Sequence, residues 1–319
     1  MAYSALVRLG AVIVAVALIA SPAPADVRLP VDFAIASEPI GQSHAPELAV
    51  PVRPPPDAVL DERVDAGHHW RLDTARGAVH VWVPAGYDAA TAATVVFVHG
   101  YWINVDQAWA SYRLAKQFAL SGINAVFIVP AAPSTKRKPI AWPSLAELVH
   151  TVAEHIDLPM PANRLVAVGH SGAYRTLSLW LANPMLDTIV QLDALYTEYG
   201  VLSWARASKE HRLVNIVYET GRYSNYLHYW LPSTKRVYGL PREGLPDARI
   251  LYVRTDVGHW ELVNDGVALP LALRAIGVPS VVSAPLDLPL GLPLRYGQPL
   301  MMDWLTRPPS APRVLELAP

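Results

Sequence analysis

Apolar and polar positions alternate along the chain between two kinds of run. "GAVHVWVPAGY", "TVVFVHG" and "NAVFIVP" are short, rich in β-branched residues and closed by Pro or Gly, which predicts strands. "DQAWASYRLAKQFALSG" carries apolar residues at helical spacing and closes on Gly122, a residue suited to a helix C-terminus. "SLAELVHTVAEHI" opens on Ser144 with Glu147 at the capping-box position. The strand "RLVAVGHS" then leads into the helical "GAYRTLSLWLA". "DTIVQLDALY", "RLVNIVYETG" and "ARILYVRT" predict three more strands, and "ELVNDGVALPLALRAIG" a final helix broken near Pro270. Strands that are apolar throughout, separated by helices, predict an α/β fold: a mainly parallel sheet with helices on both faces.

The chain ends follow another logic. Arg8, the apolar stretch Leu9 to Ala20 and the small-residue site Ala23-Pro24-Ala25 have the order of a secretory signal over residues 1–25. That stretch is short for a bilayer span, so an exported protein, periplasmic or secreted and without a membrane span after cleavage, is expected. Residues 26–61 are proline-rich and aperiodic and read as an extended arm. The folded domain is expected over 62–278, followed by a second proline-rich extension over 279–319. With 52% hydrophobic and 17% charged residues, the 319-residue chain can build a large core. A formal net charge of −1 supplies no field for nucleic acid. Cysteine is absent, which excludes disulfides and thiolate-held metals.

In a parallel sheet, ligands lie beyond the carboxyl ends of the strands. Chemistry-bearing residues at such ends are His99-Gly100, Ser171, Asp193, Glu219 and His259. Ser171 stands where "LVAV" gives way to a helix, flanked by Gly169, Gly172 and Ala173, small enough for a tight elbow that lifts the serine oxygen above the sheet. The Gly172 N–H at the helix start suits an oxyanion donor, and the loop after Gly100 offers a second from Tyr101 or Trp102. His259 follows the last strand, downstream of the serine, as a general base in this chain order would. Its carboxylate partner has three candidates, Asp193, Glu219 and Asp256.

"VWVPAGYDAATAATVVFVHGYW", "VAVGHSGAY" and "RTDVGHW" together resemble an α/β-hydrolase over about Gly77 to Gly277, and more narrowly exported bacterial serine hydrolases. Ala173 stands where the family pattern has glycine. The resemblance implies a Ser–His–acid triad, no cofactor, and an ester or amide substrate. On it, Ser171 is the nucleophile, His259 the base, and Tyr101 and Gly172 the oxyanion donors. Some members take the acid from the strand that Asp193 ends, and others from the next, which Glu219 ends. Asp193 is preferred for its short carboxylate at the rim of a buried strand. The expected partner is a small acyl-bearing molecule cleaved as an ester, with amide cleavage or a non-catalytic binding role as rivals. The aromatic segment Tyr218 to Leu240 reads as a lid or pocket wall, and "STKRKP" as a solvated basic loop. His68-His69 has no partner at metal-ligand spacing, and no metal is assigned.

Overall fold

The computed structural model describes residues 57–241 and 244–282 and the backbone of 313–315. The expected signal, most of the N-terminal arm and most of the C-terminal extension lie outside the described residues. The elements run α1 (Asp57–Ala66), β1 (His68–Thr74), β2 (Gly77–Val83), β3 (Ala93–Val98), α2 (Val105–Ser111), α3 (Leu114–Ser121), β4 (Ala125–Pro130), α4 (Leu145–His155) and β5 (Arg164–His170). A 3-10 turn, Ser171–Ala173, leads into α5 (Tyr174–Trp180), β6 (Leu186–Leu192), α6 (Tyr199–Ala207), β7 (Arg212–Val217), α7 (Gly221–Tyr229), β8 (Lys235–Tyr238), β9 (Ile250–Arg254), α8 (Glu261–Asn264), α9 (Ala268–Arg274) and β10 (Arg313–Leu315).

The sheet order is β10-β1-β2-β4-β3-β5-β6-β7-β9-β8. The strands from β4 through β8 in that order pair in parallel, and β2 joins β1 and β4 antiparallel. Alternate residues of each central strand feed two separate cores. Val95, Phe97, Val166 and Val168 pack with α2, α3, α8 and α9, while Val96, Val98, Leu165 and Ala167 pack with α4, α5, α6 and α7. Both faces are therefore dry, which is why these strands read as unbroken apolar runs. The expected α/β architecture is the one formed. Among the described residues, no helix is long and apolar enough to cross a membrane.

Several local expectations change. The helix expected from Asp106 to Gly122 is two helices, because Arg113 between them turns left-handed (φ 51°) and donates through Nη2 to the Asn264 carbonyl. Both pieces keep the same apolar face, so the periodicity carries no sign of the break. Gly122 closes α3 in the left-handed conformation (φ 68°), as its position suggested. Ser144 Oγ caps α4 by accepting the Glu147 N–H. The last helix divides at Gly266 (φ 74°), not at Pro270. Pro270 is the third residue of α9, where an N–H would have no intrahelical partner anyway. Helix α1 spans the 61/62 boundary drawn from composition.

Candidate active site

Strand β5 ends at His170, and the chain turns sharply at Ser171, whose φ is 52°. A side-chain-bearing residue costs about 1–2 kcal/mol in this region, so the turn has to be enforced by its surroundings. The flanking glycines show how. A Cβ on Gly169 would lie 2.8 Å from Leu177 and 3.0 Å from the Ala173 methyl, and one on Gly172 would lie 2.6 Å from the Tyr101 ring. On Gly100 it would meet Ser171 Cβ at 2.9 Å. Ala173, by contrast, has ordinary helical torsions (φ −58°), so the elbow does not need glycine there.

Asp193 follows β6 as Ser171 follows β5, and the preceding residues His170 and Leu192 are register partners. It too is left-handed (φ 49°), and it is fully buried. Its Oδ1 accepts from the N–H groups of Tyr218 (3.0 Å) and Thr220 (2.9 Å) and from the Thr220 hydroxyl (2.8 Å). Oδ2 accepts from the Glu219 N–H (3.0 Å) and from His259 Nδ1 (2.6 Å). Burial alone would raise this carboxyl's pKa. The hydrogen bonds from His259, Thr220 and Glu219 outweigh burial and hold it well below the usual carboxylate range. The group is an anion with its lone pairs filled.

His259 is held from a second side. His170, wholly buried, donates from Nε2 to the His259 carbonyl (2.9 Å), and the two rings lie 4.7 Å apart. Burial, and then the neighbouring His259 ring, push the His170 pKa down to about 3, so it stays a neutral donor. The residue preceding the elbow thus docks the backbone of the histidine that Asp193 orients.

The loop after β3 closes over the same place. His99 Nδ1 donates to the Gly100 carbonyl (2.7 Å), and the Tyr101 ring covers the Gly172 Cα. Trp102 is left-handed (φ 70°) and its N–H goes to the Ser134 carbonyl at 2.8 Å. That bond occupies the Trp102 donor and leaves Tyr101 as the candidate on this loop. Ser134 begins the basic "STKRKP" segment, and Arg175 Nη1 donates to the Lys136 carbonyl (2.8 Å) in the same segment. The loop is tied to the helix after the elbow and supports the Tyr101 turn.

Of the candidate acids, Asp193 is the partner of His259 Nδ1. Glu219 contributes its backbone N–H to Asp193, and its own side chain is exposed, as is Asp256. Asp193, Glu219 and His259 present donor atoms within 4.8 Å of one another, the spacing of a possible cation site. A cation there would have to displace hydrogen bonds from Asp193, whose oxygens are already filled. His69 Nε2 lies 3.0 Å from His80 Nδ1, His80 Nε2 lies 2.9 Å from Asp106, and both rings stack on Trp109, a packing role on β1 and β2.

Tyr196 is a site residue that sequence reasoning passed over. Its pKa is pushed up to about 12, chiefly by burial and then by the Asp193 charge, with the Ser171 hydroxyl opposing them. It lies 5.2 Å from the Tyr174 ring and 6.3 Å from Tyr223. Its place three residues after Asp193 was the available signal. The aromatic segment expected as a lid or wall folds as α7 and β8, and it is Tyr223 of that segment that reaches Tyr196.

No protein-family model matches the chain, and no curated protein matches it. Solved structures do. The chain is similar to a feruloyl esterase module from Clostridium thermocellum at 13% identity, with 70% of this chain and 94% of that one covered and a TM-score of 0.48. It is similar to an S-formylglutathione hydrolase from Staphylococcus aureus at 12% identity, covering 65% and 94%, with a TM-score of 0.43. A hormone-sensitive lipase from a metagenome library matches at 11% identity, covering 69% and 89%, with a TM-score of 0.43.

Proposed function

We propose that this protein is a serine hydrolase that cleaves carboxylic esters through an acyl-enzyme, with Ser171, His259 and Asp193 as its triad. The observation that carries the proposal is the 2.6 Å bond from His259 Nδ1 to a buried Asp193 that keeps its charge. A histidine whose Nδ1–H is committed to a carboxylate has Nε2 as its basic nitrogen. Ser171 Oγ attacks the acyl carbon as its proton passes to Nε2, and the C–O double bond opens to an oxyanion. The N–H groups of Tyr101 and Gly172 receive that charge. Collapse breaks the bond to the leaving oxygen, which takes the proton back from His259 and departs as an alcohol. Water then repeats the sequence on the acyl-enzyme, releasing the acid and restoring Ser171.

The strained serine supports catalysis over a non-catalytic role. A binding protein would gain stability by placing glycine at φ 52°. Ester is favoured over amide because an alkoxide needs less help to leave than an amine. Export is part of the proposal and rests on the basic, apolar and small-residue order of residues 1–25. Rapid mixing with 4-nitrophenyl acetate tests the reaction: a burst of about one nitrophenol per chain before steady turnover is expected. A linear trace at the uncatalysed rate would refute it.

A further inference from the structure

Three arginines stand around one cavity that Glu219 also lines. The cavity, about 540 Å³, is walled by Arg222 from α7, Arg236 from β8 and Arg254 from β9, together with Glu219 and Tyr252. Among the described residues none of these guanidinium groups makes an ion pair. Arg254 Nη1 donates to the Tyr218 carbonyl (2.5 Å), Arg222 Nη2 donates to the Tyr223 hydroxyl (2.5 Å), and Arg236 lies 5.2 Å over the Tyr252 ring. These contacts aim the groups without neutralising them. Three cations face the one carboxylate of Glu219. Helix α7 also begins in this wall at Gly221, where a Cβ would lie 2.7 Å from Arg254 Nη1. The missing side chain lets that guanidinium sit against the positive end of the helix.

We propose that this cavity binds an anionic group, a carboxylate or phosphate, carried by the ester substrate; the substrate part of the proposal rests on the ester-hydrolase reading. The link is spatial. Glu219 lines the cavity, and its carboxylate lies within 4.8 Å of the donor atoms of Asp193 and His259. Glu219 therefore borders both the triad and the cavity, so a substrate that extends past Glu219 from the triad reaches the arginines. Fork-shaped guanidinium donors suit planar carboxylate and tetrahedral phosphate alike.

The test compares the full chain with the double variant Arg222→Gln/Arg236→Gln, both exposed positions whose exchange should leave the melt unchanged. Substrates are neutral 4-nitrophenyl acetate, 4-nitrophenyl hemisuccinate with the charge on the acyl half, and 3-acetoxybenzoate with it on the alcohol half. Inorganic phosphate binding is titrated calorimetrically in parallel. The double variant should lose about 10-fold or more in kcat/KM, through KM, on at least one charged ester, the scale of a lost charge-assisted hydrogen bond. It should keep the neutral rate and lose phosphate binding. Phosphate that competes with the charged ester marks a site open to both anions, and carboxylate preference without phosphate binding marks one shaped for carboxylate. Unchanged kinetics on both charged esters would overturn the proposal, as would an equal loss on all three. If no ester is turned over, the ester reading fails by itself. Titration with phosphate and with the carboxylate benzoate then decides the cavity: arginine-dependent binding of either supports it, and binding of neither overturns it.

Discussion

Replacing Asp193 with asparagine exchanges one oxygen for an NH₂ group, and the structure says where that group goes. Oδ1 receives three hydrogen bonds, from Tyr218, Thr220 and the Thr220 hydroxyl, so the amide oxygen takes that side. The NH₂ then occupies the Oδ2 position, facing the Glu219 N–H and His259 Nδ1. As a donor it demands a lone pair on Nδ1, which shifts the histidine proton to Nε2, the atom that must accept from Ser171. Turnover should fall about 10⁴-fold, the scale of an enforced wrong tautomer. Stability should fall as well, by about 1–3 kcal/mol, because the fully buried residue 193 side chain loses an acceptor and its new NH₂ faces the Glu219 N–H. Glu219→Gln is the control. Its side chain is exposed and its contribution to Asp193 is a backbone N–H that the substitution keeps. It should cost less than about 10-fold, on the scale of a surface charge change. Steady-state hydrolysis of 4-nitrophenyl acetate, with thermal melts to normalise for folding, checks both. A folded Asp193→Asn enzyme within about 10-fold of the parent, or a Glu219→Gln loss as large as that of Asp193→Asn, would refute the reasoning.

Gly172→Ala should put a methyl 2.6 Å from the Tyr101 ring, part the two oxyanion loops and lower kcat by about 10²-fold or more, measured against its melt. Ser171→Gly should abolish turnover yet raise stability by about 1 kcal/mol, since glycine adopts φ 52° freely; calorimetry showing destabilisation would contradict the strained elbow. Acid should destabilise the fold below about pH 6.5. Burial first, with the His259 ring at His170 and the Arg236 charge at His228, holds both buried histidines down to about 3 from 6.5. The unfolded chain therefore binds the extra protons, and stability falls as pH drops through that window, by about 1 kcal/mol per pH unit for each. Denaturant unfolding between pH 7 and 4.5 measures the slope, and a flat profile would count against neutral burial of these rings.

What could be seen in the residues was what is local. The central strands declare themselves because both faces are buried, and Ser171 because its neighbours Gly169 and Gly172 are small for reasons within the same turn. β1 and β8 went unseen. "HHWRLDT" mixes charge with apolar residues, and "KRVY" is largely exposed, so neither carries an apolar run. The choice among the acids was also non-local. Asp193 is selected by a left-handed turn and by three consecutive amides, Tyr218 to Thr220, delivered by the next strand. Nothing in "QLDALY" or "VYETG" alone states that these two strand ends meet. The Trp102 N–H was ruled out by Ser134, a contact between two loops that no pattern in either could show.

The central claim is that Ser171 is the nucleophile. Incubation with a fluorophosphonate, followed by peptide mapping and a Ser171→Ala comparison, tests it most directly. One modification per chain is expected, on the peptide containing Gly169-His170-Ser171-Gly172, and none in the variant. Labelling that maps to another serine, or that persists at the parent rate in Ser171→Ala, would contradict it.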